Sequence, residues 1–196
     1  MNLVILKYNA GNTQSVMYAL ERLGITATVT NDVAAIRNAD RVIFPGVGQA
    51  STAMQYLHAH KLDTLIPTLT QPVLGICLGM QLLCKYTAEY NTTCLNVYND
   101  VVLSQFNNNN NLKVPQVGWN NMACSNNALC NHIPPNSYIY NVHSYYAPVN
   151  KYTIATCTYG VVYSAAMQKN NFYGVQFHPE KSGEIGEQIL KNFITL

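Results

Sequence analysis

The chain has 196 residues, of which 48% are hydrophobic and 10% are charged, and its formal net charge at pH 7 is +2. This length and apolar content suffice for one domain with a substantial core, which we expect to span residues 1–196. The weak net charge without a basic run excludes a typical nucleic-acid-binding protein, and no apolar run approaches the roughly 20 residues that span a bilayer, so we expect no membrane partner.

The first half of the chain alternates apolar strands with amphipathic helices. Strands are predicted at residues 3–6, 26–30, 41–44 and 72–77. Helices are predicted before Gly24, after the capping pair Asn31-Asp32, from about Ser51 to Lys61, and after Cys77, where apolar residues as far as Ala88 keep helical spacing. This order predicts an α/β fold with a mostly parallel central sheet flanked by helices.

The second half contains further β-strand patterns and one closing helix. Strands are predicted at residues 94–106, 112–117, 137–143, 152–158, 161–167 and 172–177, and a helix from about Gly183 to Ile194. Residues 107–111 are five consecutive asparagines, interpreted as the exposed loop of a hairpin. We expect these elements to add antiparallel strands to the same domain.

The cysteines favour a reducing compartment. There are six, and none forms a C-x-x-C pair, so their spacing suits neither a zinc site nor a compact disulfide framework. The N-terminal residues lack the basic lead and cleavage site of a signal peptide. We therefore expect a cytoplasmic protein without a bound metal or cofactor.

Cys77 is the first candidate for catalysis. It lies between Gly75 and Gly79 where an apolar strand changes to a helical pattern, the arrangement that presents a nucleophile on a sharp strand-to-helix turn. Free N–H groups at a helix start favour a thiolate. Taken alone, the pattern also fits a small buried cysteine, because most free cysteines are buried.

A histidine and a carboxylate follow another apolar strand. In His178-Pro179-Glu180 the two side chains lie two residues apart, and Pro179 stiffens the segment between them. A neutral imidazole can take a proton from a thiol, and a carboxylate on its other nitrogen fixes its tautomer. An isolated His-Pro-Glu is more often a surface turn, but with Cys77 it predicts a Cys-His-Glu triad.

Backbone amides near Cys77 are candidates for stabilising an oxyanion. In Pro45-Gly46-Val47-Gly48, the glycines on both sides of Val47 leave its peptide groups free to rotate. The Leu78 amide at the helix start is a second candidate donor. Losing one such donor typically costs about 3 kcal/mol of transition-state stabilisation.

Together these residues resemble the triad-type, class I glutamine amidotransferases. The resemblance is carried by residues 45–48, 75–83 and 173–182, and covers nearly the whole chain in order. The sequences at residues 117–120 and 142–146 are similar to the family members that serve a cyclase of histidine biosynthesis. The chain departs from the family at Lys7-Tyr8-Asn9-Ala10, where members commonly have Asp-Tyr-Gly before the Gly-Asn pair.

The resemblance implies a role for each site residue. Cys77 is implied as nucleophile, His178 as base and Glu180 as its orienting carboxylate. Contacts to glutamine are implied for Gln81, Glu89 and the backbone of Ser144 and Tyr145, and an oxyanion strand at Gly46, Val47 and Gly48. The candidates for a partner interface are Asn12, Trp119, Asn120 and Lys181.

The implied reaction is the hydrolysis of L-glutamine to glutamate and ammonia through a Cys77 thioester. The resemblance further implies a heterodimer with a (β/α)₈-barrel cyclase, which uses the ammonia to make imidazole glycerol phosphate. Four alternatives stay open: a subunit of another class I amidotransferase, a paralogue that supplies a surface-sugar pathway, a cysteine hydrolase or peptidase of the same fold, and a non-catalytic binding module.

Overall fold

The structure is a computed structural model that describes residues 1–107 and 112–196. Its helices are α1 (Thr13–Arg22), α2 (Val33–Arg37), α3 (Ala50–Ala59), α4 (Leu62–Leu65), α5 (Leu78–Leu82) and α6 (Gly183–Thr195). Its strands are β1 (Leu3–Leu6), β2 (Thr28–Thr30), β3 (Arg41–Gly46), β4 (Val73–Cys77), β5 (Cys84–Thr87), β6 (Thr92–Thr93), β7 (Tyr98–Gln105), β8 (Gln116–Cys124), β9 (Ser137–His143), β10 (Tyr145–Tyr146), β11 (Thr153–Tyr159), β12 (Val161–Lys169) and β13 (Phe172–Val175).

A nine-stranded mixed sheet forms the centre, in the order β2-β1-β3-β4-β13-β12-β11-β8-β9. The strands from β2 to β13 are parallel, and those from β12 to β9 pair antiparallel. A smaller sheet has the order β10-β7-β5-β6. The predicted α/β class, with a parallel sheet extended by antiparallel strands, is confirmed.

The parallel strands are apolar on both faces because helices cover both sides of the sheet. In β1, Leu3 and Ile5 belong to one buried cluster and Val4 and Leu6 to the other. Apolar residues of α1 and α6 complete the first cluster, and those of α2 to α5 complete the second. This continuous burial explains why the strands read as apolar runs without alternation.

Register places the candidate catalytic segments side by side. Gly46 at the end of β3 pairs with Cys77 at the end of β4, and Val175 of β13 pairs with Ile76 of β4. The carboxyl ends of three adjacent parallel strands therefore meet at one edge, where ligand sites of such sheets form.

The helix predicted as far as Ala88 is wrong. α5 ends at Leu82, and Cys84–Thr87 is strand β5, which pairs with β6 and β7. Tyr86 and Thr87 favour strand because aromatic and β-branched side chains pack well on a pleated surface. Of the residues that carried the helical spacing, Met80, Leu83 and Cys84 are buried, whereas Ala88 is exposed beyond the end of β5.

The asparagine loop predicted for a hairpin lies largely outside the described residues, which omit 108–111. The strands on either side of it are β7 and β8, and they belong to different sheets. The prediction of a hairpin between them is therefore wrong.

No helix in the described part of the chain has the length and apolar character needed to cross a membrane.

Candidate active site

Cys77 has a strained backbone at the turn between β4 and α5. Its φ of 52° and ψ of −108° lie where residues other than glycine are rare. Such outliers cost about 1–3 kcal/mol and concentrate at functional sites. The flanking glycines permit the turn, because a β-carbon on Gly79 would collide with the Phe44 carbonyl and one on Gly75 would lie 2.7 Å from the Met80 nitrogen.

His178 and Glu180 form a buried pair beside this turn. Glu180 Oε1 lies 2.8 Å from His178 Nδ1, and the two side chains are 4% and 2% exposed. A carboxylate accepts from this nitrogen, so Nε2 is the ring nitrogen left to serve Cys77, which lines the same cavity as His178. The structure therefore brings the three predicted catalytic residues together in the order of a triad.

The surroundings of His178 favour its protonated form. Burial alone lowers the pKa of an imidazole, but the hydrogen bonds and charges of Cys77 and Glu180 outweigh it and raise the pKa of His178 to about 10. A protonated imidazole beside sulfur stabilises negative charge on the nucleophile and carries a proton that a leaving group can take.

Backbone contacts hold the His178 segment against β9. The His178 N–H donates to the Tyr140 carbonyl at 2.9 Å, and Ser182 Oγ donates to the His178 carbonyl at 2.6 Å. Ser182 Oγ in turn accepts from the Tyr140 N–H at 3.0 Å. Sequence reasoning missed Ser182; its place two residues after the predicted triad carboxylate was the available signal.

A cavity of about 230 Å³ opens at Cys77. Its walls contain all four residues predicted to contact glutamine, Gln81, Glu89, Ser144 and Tyr145, together with Val47, Gly48, Leu78 and His178. Glu89 also accepts from the Ala50 N–H at 2.7 Å, which anchors its carboxylate at the start of α3. The volume is below the about 300–1,000 Å³ typical of drug-sized ligands and suits a free amino acid better than a peptide.

A glutamine pair behind the cavity was not found from the sequence. Gln81 Nε2 donates to Tyr145 O and to Gln176 Oε1, each at 3.0 Å. The acceptor role of Oε1 leaves Gln176 Nε2 to face Cys77 Sγ, 3.8 Å away. Gln176 is fully buried. The sequence offered one indication of its role, because Gln176 is the single polar side chain in the apolar run before His178.

The two predicted oxyanion donors, the Val47 and Leu78 amides, differ in whether they already have an acceptor. The Val47 N–H donates to the Ala10 carbonyl at 2.6 Å, so in this conformation it is not free to donate to an oxyanion at Cys77, and its role as an oxyanion donor stays a prediction. Leu78 begins α5 directly after the nucleophile, where helix N–H groups lack intrahelical acceptors. Two glycines allowed either orientation of the Val47 peptide, and the sequence did not specify which one forms.

His143 is a second buried histidine in the cavity wall. Its Nδ1 lies 2.8 Å from the Tyr145 carbonyl, whereas Nε2 is buried without a hydrogen-bond partner among the described residues. Burial is the main cause that lowers the pKa of His143 to about 4, and the charge of His178 adds to it. His143 is therefore neutral at pH 7, with its proton on Nδ1.

We expect His143 to make the fold sensitive to acid. The unfolded chain takes up this proton near pH 6.5 and the folded chain only near pH 4, so stability falls as the pH drops through that window. The loss between pH 7 and pH 5 amounts to about 2 kcal/mol. Urea unfolding at both pH values checks it.

His143→Gln should reduce this loss, whereas His132→Asn, at an exposed histidine, should leave it unchanged. An equal acid sensitivity in His143→Gln and the original chain would assign the effect to other groups.

The candidate interface residues lie near the triad but not in one cluster. Trp119 is 56% exposed on β8, and its ring lies edge-on to Tyr140 at 5.7 Å between centroids. Lys181 Nζ lies 6.0 Å from the centre of the same tyrosine ring. Asn120 Nδ2 donates to the Thr158 carbonyl at 2.7 Å. Asn12 precedes α1, which packs against the turn that contains Lys181.

Comparison with known proteins agrees with this geometry. The family model of the class-I glutamine amidotransferases matches residues 4–196. A protein of Bacteroides fragilis named imidazole glycerol phosphate synthase subunit HisH is 48% identical over 196 residues, which is 100% of both chains. A protein of the same name from Haemophilus influenzae is 44% identical over 197 residues, 99% of this chain and 97% of that one. A solved structure of a glutamine amidotransferase matches with a TM-score of 0.76 and 15% identity, over 98% of this chain and 97% of that one.

The chain belongs to the class-I glutamine amidotransferase family. Within that family it is similar over its full length to proteins named HisH, as the sequences at residues 117–120 and 142–146 predicted. The resemblance drawn from the sequence is therefore confirmed.

Proposed function

We propose that the chain is the glutaminase subunit of an imidazole glycerol phosphate synthase, acting in histidine biosynthesis. The observation that carries the chemistry is the buried His178–Glu180 pair beside the strained Cys77 turn. The full-length similarity to proteins named HisH supports the assignment to histidine biosynthesis. The reducing cytoplasm is the proposed compartment, because all six cysteines are free.

The proposed reaction begins with attack of Cys77 Sγ on the side-chain amide carbon of L-glutamine. His178 gives its proton to the departing nitrogen, ammonia leaves, and a γ-glutamyl thioester remains on sulfur. His178, now neutral, takes a proton from a water molecule that attacks the thioester. The products are glutamate and free Cys77.

The cavity supports L-glutamine as the substrate. Glu89 places a carboxylate in the wall, which can hold the α-amino group by a charge-assisted hydrogen bond. Gln81 and the backbone at Ser144 and Tyr145 lie in the same wall and would orient the rest of the amino acid. Their fixed positions fit a small polar substrate that must present one amide to Cys77.

The Val47 amide supports a dependence on the partner. With the Val47 N–H donated to the Ala10 carbonyl, one of the two candidate oxyanion donors is occupied, and losing one such donor typically costs about 3 kcal/mol of transition-state stabilisation. Activity would require the Gly46–Val47 peptide to turn over. A cyclase subunit bound with its ribotide ligand is the proposed trigger.

An apolar surface beside the site supports a protein partner. On the outer face of β8 and β9, Val117 pairs with Val142 and Trp119 with Tyr140. Val117, Trp119 and Val142 are 60%, 56% and 37% exposed, and Val142 also lines the cavity at Cys77. We propose that this face binds the (β/α)₈-barrel cyclase, with Asn12, Asn120 and Lys181 as further candidate contacts, so that ammonia passes directly between the subunits.

The test measures glutamate release from glutamine by the purified chain, alone and with a cognate cyclase and its ribotide ligand. We expect little glutamate from the chain alone and sustained release with the liganded cyclase. Absence of glutamate in both cases, with a cyclase that works on added ammonium salts, would reject this function. Release of glutamate without formation of imidazole glycerol phosphate would instead favour another amidotransferase or a surface-sugar pathway.

Trp119→Ala should weaken cyclase binding by about 30-fold or more, because exposed tryptophans at the centre of interfaces are frequent hot spots. Titration calorimetry of the two subunits measures the dissociation constant. Tyr18→Ala, at an aromatic residue of α1 that is 54% exposed, is the matched control and should bind as the original chain does. Equal affinities for all three chains would place the interface elsewhere.

A further inference from the structure

A buried tyrosine hydroxyl lies unpaired next to the nucleophile turn. Tyr8 follows β1, is 7% exposed, and packs on Phe44 with ring centroids 5.3 Å apart. Its Oη has no hydrogen-bond partner among the described residues. Burial, and next the charge of Cys77, raise the pKa of Tyr8 well above its usual value, so the group remains a donor. A buried donor without an acceptor destabilises the conformation in which it occurs.

The hydroxyl lies where the predicted oxyanion strand meets α5. A β-carbon added to Gly46 would collide with Tyr8 Oη, and would also lie 2.9 Å from Leu78 Cβ and 3.0 Å from the Gly79 nitrogen. Tyr8 Oη therefore touches the backbone of Gly46, on the element that must supply an oxyanion donor. Glycine at position 46 is required for this approach.

The peptide bond between Gly46 and Val47 links the position of the Tyr8 hydroxyl to the stabilisation of the oxyanion. In the present orientation the Val47 N–H donates to Ala10 O, two residues after Tyr8. Turning the peptide over would aim the N–H at Cys77 and swing the Gly46 carbonyl toward residues 8–10. The Ala10 carbonyl is itself an acceptor and cannot bond to it, whereas the Tyr8 hydroxyl is a free donor at that place.

We propose that Tyr8 is a positioning residue whose hydroxyl donates to the Gly46 carbonyl once the Gly46–Val47 peptide turns over. This bond replaces the one between Val47 and Ala10 and stabilises the orientation in which the Val47 amide faces the oxyanion. The inference rests on the proposed glutaminase function. It makes Tyr8 a determinant of the active conformation that does not itself touch the substrate.

Tyr8→Phe tests it, because the change removes only the hydroxyl and keeps the ring against Phe44. With the liganded cyclase we expect kcat for glutamate release to fall about tenfold, the effect of one hydrogen bond made only in the active conformation. The KM for glutamine should stay within about twofold, since the substrate contacts are unchanged. The unfolding temperature should stay the same or rise, because an unpaired buried donor is removed.

Tyr98→Phe is the matched control. Tyr98 is another buried tyrosine, but its hydroxyl donates to the backbone, with Met167 O at 3.3 Å and Phe172 O at 3.4 Å. Removing it should lower the unfolding temperature and leave kcat unchanged. The two variants should thus show opposite patterns of stability and turnover.

Each outcome decides between the claims. A Tyr8→Phe chain with the kcat of the original chain, or one that loses stability as Tyr98→Phe does, overturns the role of Tyr8 and leaves the glutaminase function intact. An original chain that releases no glutamate with an active cyclase overturns the proposed function, and the Tyr8 inference falls with it.

Discussion

Cys77→Ala should reduce partner-stimulated glutamate release by about 10⁴-fold or more, because none of the other described residues that line the cavity carries a sulfur from which the thioester could form. The chain should remain folded, since cysteine and alanine both adopt the strained φ of 52° at the same kind of cost. Glutamate assays with the liganded cyclase and a thermal unfolding curve measure the two effects. Loss of activity without loss of fold would identify the sulfur as the reacting atom.

Two controls make the result specific. Cys124→Ala removes a partly exposed cysteine at the end of β8 and should keep full activity. The complex that contains Cys77→Ala should still make imidazole glycerol phosphate from added ammonium salts, because the cyclase does not need the thiol. Glutamate release by Cys77→Ala at the original rate would exclude the thioester mechanism.

The proximity of Cys77 to His178 and Glu180 could be predicted from the sequence because these residues lie at or shortly after the carboxyl ends of buried strands. Cys77 ends β4, and His178 follows β13, its parallel neighbour. Parallel strands direct their carboxyl ends to one edge of the sheet, so two such segments meet there even when about a hundred residues separate them. The apolar runs before Cys77 and His178 predicted both strands, and therefore the places of both residues at the edge of the sheet.

Features that depend on pairing between distant segments could not be predicted. β5 forms because Cys84–Thr87 pairs with β6 and β7, and this tertiary pairing overrides the local helical spacing. The orientation of the Val47 peptide depends on the Ala10 carbonyl, which belongs to the loop after β1. The contact of Gln176 with Cys77 likewise requires the β4–β13 register.

Glu180→Gln should lower the stimulated kcat by about 10²–10⁴-fold with little change in fold. The carboxylate accepts from His178 Nδ1 at 2.8 Å, whereas a glutamine amide can also donate to that nitrogen and stabilise the wrong tautomer. Its negative charge is one cause of the raised His178 pKa of about 10. We therefore also expect the pKa of His178 to be lower in this variant, and NMR of the imidazole measures this pKa.

The direction of the pH effect on stability gives a second readout. A pKa raised to about 10 means that the folded chain keeps the His178 proton where the unfolded chain has lost it. This contribution to stability is complete below about pH 6.5 and is lost as the pH rises toward 10. Glu180→Gln should flatten the decline, whereas Glu184→Gln, the same change at an exposed position in the first turn of α6, should preserve both the decline and the activity. If both variants kept the activity of the original chain, His178 would not need Glu180 for its orientation, and the site would function as a Cys-His dyad.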